Sequence, residues 1–322
     1  MTERPLQIAL VGFGLLPIPP TGWGAVESIL WEMHERLTAR GHTVHIVNER
    51  KRKAFRALMN LPKLDFIHCH NDRAVSRVMA AGILKRARVI ATSHHAWHWG
   101  ALPNDSRRLL RMTSYAPFQL PLTDRCGHEI RRKNPFAKIA VQPNGCEVSQ
   151  FRFQPSGNCR AICVGRIESR KRQDWIVRAL AESKVECDFV GPIRDALLPD
   201  GRNYLGEWTR EQLRERLTEY SALVLVSTAE GQPLVVPEAL AAGLSVVVTR
   251  PAAENLDLSK PFVHLLEQEG DLQPTIERAI QGQDTLRQDA RKYAEGTFDW
   301  EILMDRYERQ LQLWRSGRGS SS

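Results

Sequence analysis

Cysteine is scarce in this chain and never arranged in pairs. The six in 322 residues (Cys69, Cys126, Cys146, Cys159, Cys163 and Cys187) include no CxxC. They read as reduced, small core residues of a cytoplasmic protein, not as a disulfide framework. Long apolar runs are lacking as well. No stretch reaches eighteen uninterrupted apolar residues, so no membrane-spanning helix is expected. The apolar segment Leu6–Ile18 has no small-residue cleavage site behind it and is broken by Pro17, Pro19 and Pro20, so it reads as a first strand and not as a secretory signal. Helix-turn-helix, RNP and zinc-knuckle patterns are missing, which removes the sequence support for a nucleic-acid partner. "GFGLLP" places Pro17 where the third glycine of a dinucleotide fingerprint belongs, so GxGxxG fails. With no HExxH and no carboxylate cluster suited to a divalent ion, neither a metal nor another cofactor is expected.

What is present is an ordinary apolar content of 42%, a formal charge of +8, and length enough for two domains. The charge is uneven. Residues 1–150 hold 22 Lys/Arg against 11 Asp/Glu, whereas residues 151–322 hold 23 against 26. Such asymmetry points to an anionic partner for the first half. Lys51–Lys53 stands beside Phe55, Leu58 and Met59, and Arg107, Arg108 and Arg111 flank Leu109, Leu110 and Met112; Arg131–Lys133 is a third cluster. Basic and apolar residues on one short helix suit an anionic membrane surface, and solvated helix faces are the alternative.

Strand and helix alternate twice along the chain. Strands are expected at Gln7–Gly12, Thr43–Val47, Phe66–Cys69, Arg88–Thr92, Leu120–Thr123 and Ile139–Gln142, and again at Arg160–Val164, Cys187–Val190, Leu223–Ser227, Leu244–Thr249 and Phe262–Leu265. Val26, Ile29, Leu30, Met33 and Leu37 repeat at helical spacing within Ala25–Arg40, and a further helix is expected over Arg172–Ser183. The pattern implies an α/β protein of two Rossmann-like domains with parallel sheets. The expected boundaries are 1–150 and 151–298, with the turn-rich stretch Glu147–Asn158 as linker, a closing helix over 299–314 and a disordered tail at 315–322.

The richest segment is "AEGQPLVVPEALAAGLSVVVT", Ala229–Thr249. Glu230 follows a strand in a loop, and Glu238 lies eight residues on in an apolar helix, where an unpartnered carboxylate is costly. A loop at the carboxyl end of such a strand faces the ligand crevice. Ionised carboxylates only accept hydrogen bonds, so the expected ligand is rich in hydroxyls: a sugar or a ribose. "VGRIESRKR" (Val164–Arg172) sets Gly165, Arg166 and Lys171 between a strand and a helix, where cations and backbone N–H groups suit a diphosphate. "PPTGWGAVE" (Pro19–Glu27) supplies Gly22 and Gly24, at which a backbone can approach a ligand closely, or simply a flexible turn. "ATSHHAWHWG" (Ala91–Gly100) gathers His94, His95 and His98 with Trp97 and Trp99, whose aromatic faces can stack on sugars and lipids. In "DFIHCHND" (Asp65–Asp72), alternation sends His68 and His70 to one face; His68 reads as a core histidine and His70 as a site candidate.

These strings resemble the family-4 retaining glycosyltransferases of the GT-B fold, group 1 type. In that family a glutamate in a Glu-Gly loop is followed eight positions later by another. The resemblance extends to "PNGCEVSQF" (Pro143–Phe151) as a hinge and to "TFDWEILMDRYERQL" (Thr297–Leu311) as a closing helix. It implies two Rossmann-like domains facing across a cleft. Arg166 and Lys171 would hold a donor diphosphate, Glu230 the donor sugar and Glu238 the nucleotide ribose. Gly22, Gly24, Gly165, Gly231, Gln232, Pro233 and Leu234 would complete the donor site. Pro233 often stands as glycine in the family and lacks an N–H to offer a sugar hydroxyl, which bears on sugar identity. Gly206, Glu207 and Trp208 of "YLGEW" would line the base slot. His94 of Thr92-Ser93-His94, with His95 as competitor, would be catalytic, and His70, His95, Trp97 and Trp99 acceptor-side. The implied activity is metal-independent transfer of a hexose, with anomeric retention, from a nucleotide diphosphate sugar to a carbohydrate or lipid-linked acceptor. The expected location is cytoplasmic, peripheral on the inner face of the membrane. A non-transferring nucleotide-sugar enzyme such as an epimerase and a basic membrane- or nucleic-acid-binding module are the alternatives.

Overall fold

A computed structural model of the chain describes residues 4–20, 22, 24–96, 104–195 and 203–317. The chain divides into two compact units, Met1–Asn144 together with Leu303–Ser322, and Gly145–Ile302.

In the first unit the strands are β1 (Gln7–Val11), β2 (Thr43–Val47), β3 (Phe66–Cys69), β4 (Arg88–Ala91), β5 (Phe118–Gln119) and β6 (Lys138–Ile139). They pair in parallel in the order β2-β1-β3-β4-β5-β6. The helices are α1 (Ala25–Ala39), α2 (Lys51–Asn60), α3 (Val75–Lys85), α4 (Asn104–Ser114) and α5 (Asp124–Lys133). α1 buries Ile29, Leu30, Met33 and Leu37, the stripe that its helical spacing predicts. β1 and β3 are fully buried apart from Gln7, as strands covered on both faces should be. β5 lies just before the expected Leu120–Thr123, and β6 overlaps the expected Ile139–Gln142 only at Ile139. Leu120 N–H still donates to the Ala91 carbonyl at 3.0 Å, but Pro121 has no N–H to continue the ladder, although its carbonyl accepts from Gln142 N–H at 2.9 Å.

The second unit has β7 (Ala161–Val164), β8 (Cys187–Val190), β9 (Ala222–Leu225), β10 (Ser245–Thr249) and β11 (Val263–Leu266), parallel in the order β11-β10-β9-β7-β8. Its helices are α6 (Gln173–Ala179), α7 (Arg210–Arg216), α8 (Val235–Ala241), α9 (Leu272–Ile280) and α10 (Gln283–Phe298). α6 stops four residues before the expected end. The last helix, α11 (Trp300–Arg315), begins in the second unit, and from Leu303 on belongs to the first.

The core of the second unit is pinned by a buried arginine. Arg287 is fully enclosed and donates to the carbonyls of Gln154, Tyr220, Thr218 and Ala242 at 2.6–3.2 Å. It satisfies several carbonyls at once with a guanidinium fork, so loss of this side chain would leave buried acceptors unpaired. Five cysteines are buried as expected, and Cys159 is exposed. Burial pushes the thiols of Cys69 and Cys163 up to about 12, which makes both unreactive.

Candidate active site

In a parallel sheet, loops that leave the carboxyl ends of two neighbouring strands in opposite directions open a crevice between them. In the second unit that reversal lies between β7 and β9, since β7 connects outward to β8 and β9 outward to β10. The loops there are Gly165–Arg172 and Ser227–Leu234. They are tied together: Thr228 N–H donates to the Arg170 carbonyl at 2.9 Å, and the Arg170 guanidinium donates to the Ala229 carbonyl.

Lys171 and Glu230 meet across this junction. Lys171 Nζ lies 2.9 Å from Glu230 Oε1, and both side chains are only 9% exposed. Arg170 reaches Glu230 Oε2 at 3.4 Å and Glu168 Oε1 at 2.6 Å. Burial opposes ionisation of Glu230, but Lys171 and Arg170 outweigh it and hold the carboxyl below the ordinary range. Gly165 makes the pair possible. It has φ +145°, and a Cβ there would sit 3.2–3.3 Å from Cδ, Cε and Nζ of Lys171. Arg166 is half-exposed, with Nε 3.7 Å from Glu168 Oε2, so it is the most available of these cations.

Glu238 is buried in the first turn of α8, and Arg210 NH1 lies 2.5 Å from its Oε1. The partner that a carboxylate in so apolar a helix requires is therefore Arg210, at the start of α7. Gly231, Gln232, Pro233 and Leu234 are partly exposed and lead from Glu230 into α8. Gly206 takes φ +75° and Glu207 is exposed, whereas Trp208 is buried in the core. The Arg216 guanidinium covers the indole at 4.3 Å. Trp208 thus serves packing, and a stacking role for its ring in a base slot does not fit this burial.

The first sheet reverses between β1 and β3. There Asn71 Nδ2 donates to the Gly12 carbonyl at 3.2 Å, joining the loops that follow the two strands. His68 and His70 do share a face, their ring centroids 4.0 Å apart. His68 is a core histidine. Its Nε2 lies 2.8 Å from Thr92 Oγ1, and Thr92 O–H donates onward to the Leu120 carbonyl at 2.7 Å. Thr92 Oγ1 must therefore accept from His68 Nε2–H, which leaves His68 Nδ1 to accept from Tyr307 O–H at 3.0 Å. Tyr307, from α11, is one residue that sequence reasoning did not assign.

His70 Nδ1 lies 2.9 Å from His94 Nε2, so one proton is shared between the two rings. His70 Nε2 has no hydrogen-bond partner among the described residues. Burial, reinforced by neighbouring imidazoles, lowers His68 and His94 to about 3 and His70 well below its usual value. All three are neutral at physiological pH. His95 differs: its side chain is 56% exposed, with Nε2 3.7 Å from Asp72 Oδ2. Asp72 is buried and accepts from Ser93 O–H at 2.7 Å and Thr113 O–H at 2.8 Å. Burial raises its pKa against the pull of His95 and these bonds. Gly22 is exposed and Gly24 caps α1, whose buried Glu27 would meet a Cβ placed on Gly24 at 2.9 Å. Trp97 and Trp99 lie outside the described residues, as does His98. No group of three or more His, Cys, Asp or Glu among the described residues could hold a metal ion.

Two doubly wound parallel sheets, each with its polar residues at the reversal, are the fold of the GT-B glycosyltransferases, and solved structures agree. Sucrose-phosphate synthase from Thermosynechococcus elongatus is 16% identical with a TM-score of 0.77, over 96% of this chain and 99% of that one. HepE of Anabaena in complex with UDP and glucose is 14% identical with a TM-score of 0.72, over 95% and 99%. A glycosyltransferase from Rickettsia africae is 15% identical with a TM-score of 0.72, over 96% and 98%. Residues 158–280 match the family model described as "Glycosyl transferases group 1", a span that holds Arg166, Lys171, Glu230 and Glu238. The second unit therefore carries a group 1 glycosyl transferase segment on a GT-B fold. No curated protein sequence matches the chain.

Proposed function

We propose that the protein is a retaining hexosyltransferase that uses a nucleoside diphosphate sugar, UDP-hexose foremost. The observation that carries this reading is the buried Lys171–Glu230 pair at the reversal of the second sheet, with Glu238 on the next helix. Transfer breaks the bond between the anomeric carbon and a phosphate oxygen, and its electron pair stays on the departing diphosphate. Lys171 and Arg166 supply positive charge for that moment without a metal. Glu230, held ionised, accepts from sugar hydroxyls, and Glu238 from ribose hydroxyls. In the free protein Lys171 and Arg210 occupy these carboxylates, so both acceptors are already oriented when the donor arrives. The Anabaena neighbour has also been solved with UDP-glucose, which favours uridine and hexose here.

The acceptor, in this reading, is a carbohydrate or lipid-linked hydroxyl in surface polysaccharide, lipopolysaccharide or glycolipid synthesis, served by the first unit through His94, His70 and His95. The protein works in the cytoplasm on the inner face of the membrane. Among the described residues no helix is long and apolar enough to cross a bilayer. Most of the apolar residues beside two of the basic clusters do not support surface insertion: Leu58 and Leu110 are in the core and Phe55 and Met112 pack against it, while Met59 is exposed. Phe136 does, being 92% exposed next to Arg131–Lys133.

Incubation with a panel of nucleotide sugars, measuring released nucleoside diphosphate, tests the donor assignment. Release from a UDP-hexose is expected. No release from any donor contradicts it, and an inverted product by NMR contradicts retention.

A further inference from the structure

The first unit holds a concavity whose lining residues include none of its histidines. A cavity of about 520 Å³ is lined by Gly14, Glu49, Arg50, Arg52, Lys53 and Arg77. Four cations thus share one depression with one carboxylate. Elsewhere a number of the described cations face an acid, Arg36, Arg132, Lys171, Arg178 and Arg210 among them. Arg52, Lys53 and Arg77 make no ion pair among the described residues, although Arg77 is half-buried. Like charges so gathered repel one another, and a bound anion relieves that repulsion.

The backbone beneath adds to the same imbalance. α2 opens on Lys51, Arg52 and Lys53 with no acidic residue in its first turn and no side-chain cap at Arg50. Positive charge at a helix start is opposed by the helix dipole, and an anion there is favoured. The rim is built and not loose. Gly14 N–H donates to Asn48 Oδ1 at 2.8 Å, Asn48 Nδ2 to the Leu16 carbonyl at 2.7 Å, and Arg50 Nε to the Gly14 carbonyl at 3.0 Å. Gly14 has φ +66°, and a Cβ there would come within 2.8 Å of the Glu49 and Arg50 backbone. The loop after β1 is therefore latched to the segment joining β2 to α2, and the cations stand on a fixed wall.

We infer that this depression is a binding pocket for a phosphate-bearing group of two negative charges, presented either by a soluble phosphomonoester or by a lipid headgroup. Guanidinium forks on Arg52 and Arg77 match tetrahedral phosphate oxygens, and Lys53 adds a point charge. Glu49 on the rim is placed to accept from a hydroxyl next to the phosphate. The volume suits one such headgroup and not an extended polyanion. The pocket stands without the donor assignment; that it takes the acceptor's phosphate rests on the transferase reading.

The test is titration of the full chain with glycerol 3-phosphate, and separately with phosphatidic acid vesicles against phosphatidylcholine vesicles. Wild type is compared with Arg77→Ala, with Arg52→Ala as the exposed second variant, and with Lys171→Ala. Saturable binding to either phosphate source is expected, weakened about tenfold or more by loss of either pocket arginine. It should survive Lys171→Ala, and the source that binds is thereby identified. Binding to neither source, binding indifferent to Arg77 and Arg52, or binding lost only in Lys171→Ala overturns the inference. UDP affinity, followed in the same samples, reads the donor site separately, so one assignment can fail without the other.

Discussion

The two sheets are wound alike, and each concentrates polar residues where its strand order reverses, yet they do so with opposite electrostatics. At the reversal of the second sheet, Lys171 and Arg170 neutralise Glu230, and Arg210 neutralises Glu238. At the reversal of the first, His68, His70 and His94 are neutral and held by ring contacts and hydrogen bonds. The paired ions form a site prepared for a ligand that brings both anionic oxygens and hydroxyls. The histidines can donate or accept without adding charge. The fold supplies the position in both cases, and the residues on the loops decide the chemistry.

The comparison breaks most visibly if the charged site is disarmed. Lys171→Ala should reduce turnover by about a hundredfold or more, because a fixed charge next to the departing diphosphate is lost. Steady-state kinetics checks this, and near-normal turnover in both Lys171→Ala and Arg166→Ala removes the diphosphate assignment. The two glutamates can then be told apart. Glu238→Ala should weaken binding of free UDP by roughly ten- to a hundredfold, the worth of a charged hydrogen bond. Glu230→Ala should spare UDP affinity and damage transfer. Calorimetry that finds the reverse means the roles are exchanged.

The uncharged site predicts a pH effect. His68 is depressed to about 3 in the folded state, so the unfolded chain binds the proton more readily. Its contribution is complete above the unfolded value of roughly 6.5 and is lost as pH falls from there towards 3. At pH 5 this amounts to about 2 kcal/mol for His68 alone. Denaturant melts at pH 5 and pH 7.5 should show the loss in the wild type and a smaller one in His68→Gln. Equal slopes in both proteins contradict a neutral buried imidazole. The smallest expected effect concerns Arg131–Lys133 and Phe136. Each basic side chain at an anionic bilayer contributes about 1 kcal/mol, so vesicle co-sedimentation should be weak, fade with salt and fall in Phe136→Ser. Equal binding to neutral and anionic lipid removes the membrane assignment.

Much of this contrast was legible in the residues. Thr43–Val47, Phe66–Cys69 and Cys187–Val190 are strands with the bounds read from the sequence, because short apolar runs between turn signals have few alternatives. Lys171 and Glu230 were each read on a loop at a strand end, though not as partners, and a shared face for His68 and His70 was read from alternation. What could not be read was strand order, which brings β7 next to β9 across some sixty residues. For that reason Arg170 and Arg210 were not assigned as carboxylate partners, nor Tyr307 as the partner of His68. The one available signal was Glu238 itself, a carboxylate in an apolar helix that demanded a cation from elsewhere. Trp208 misled for the opposite reason: an aromatic in a loop looks available, and only packing shows it under Arg216.

The most direct test of the account is a thermal-shift titration of the full chain with UDP, GDP, ADP and CDP. Ligand that binds only the folded protein raises the melting temperature. The account predicts the largest rise with UDP, its loss in Glu238→Ala, and its persistence in Arg77→Ala and His94→Ala. No rise with any nucleotide, or a UDP response that outlasts Glu238→Ala, would contradict a nucleotide-sugar site in the second unit.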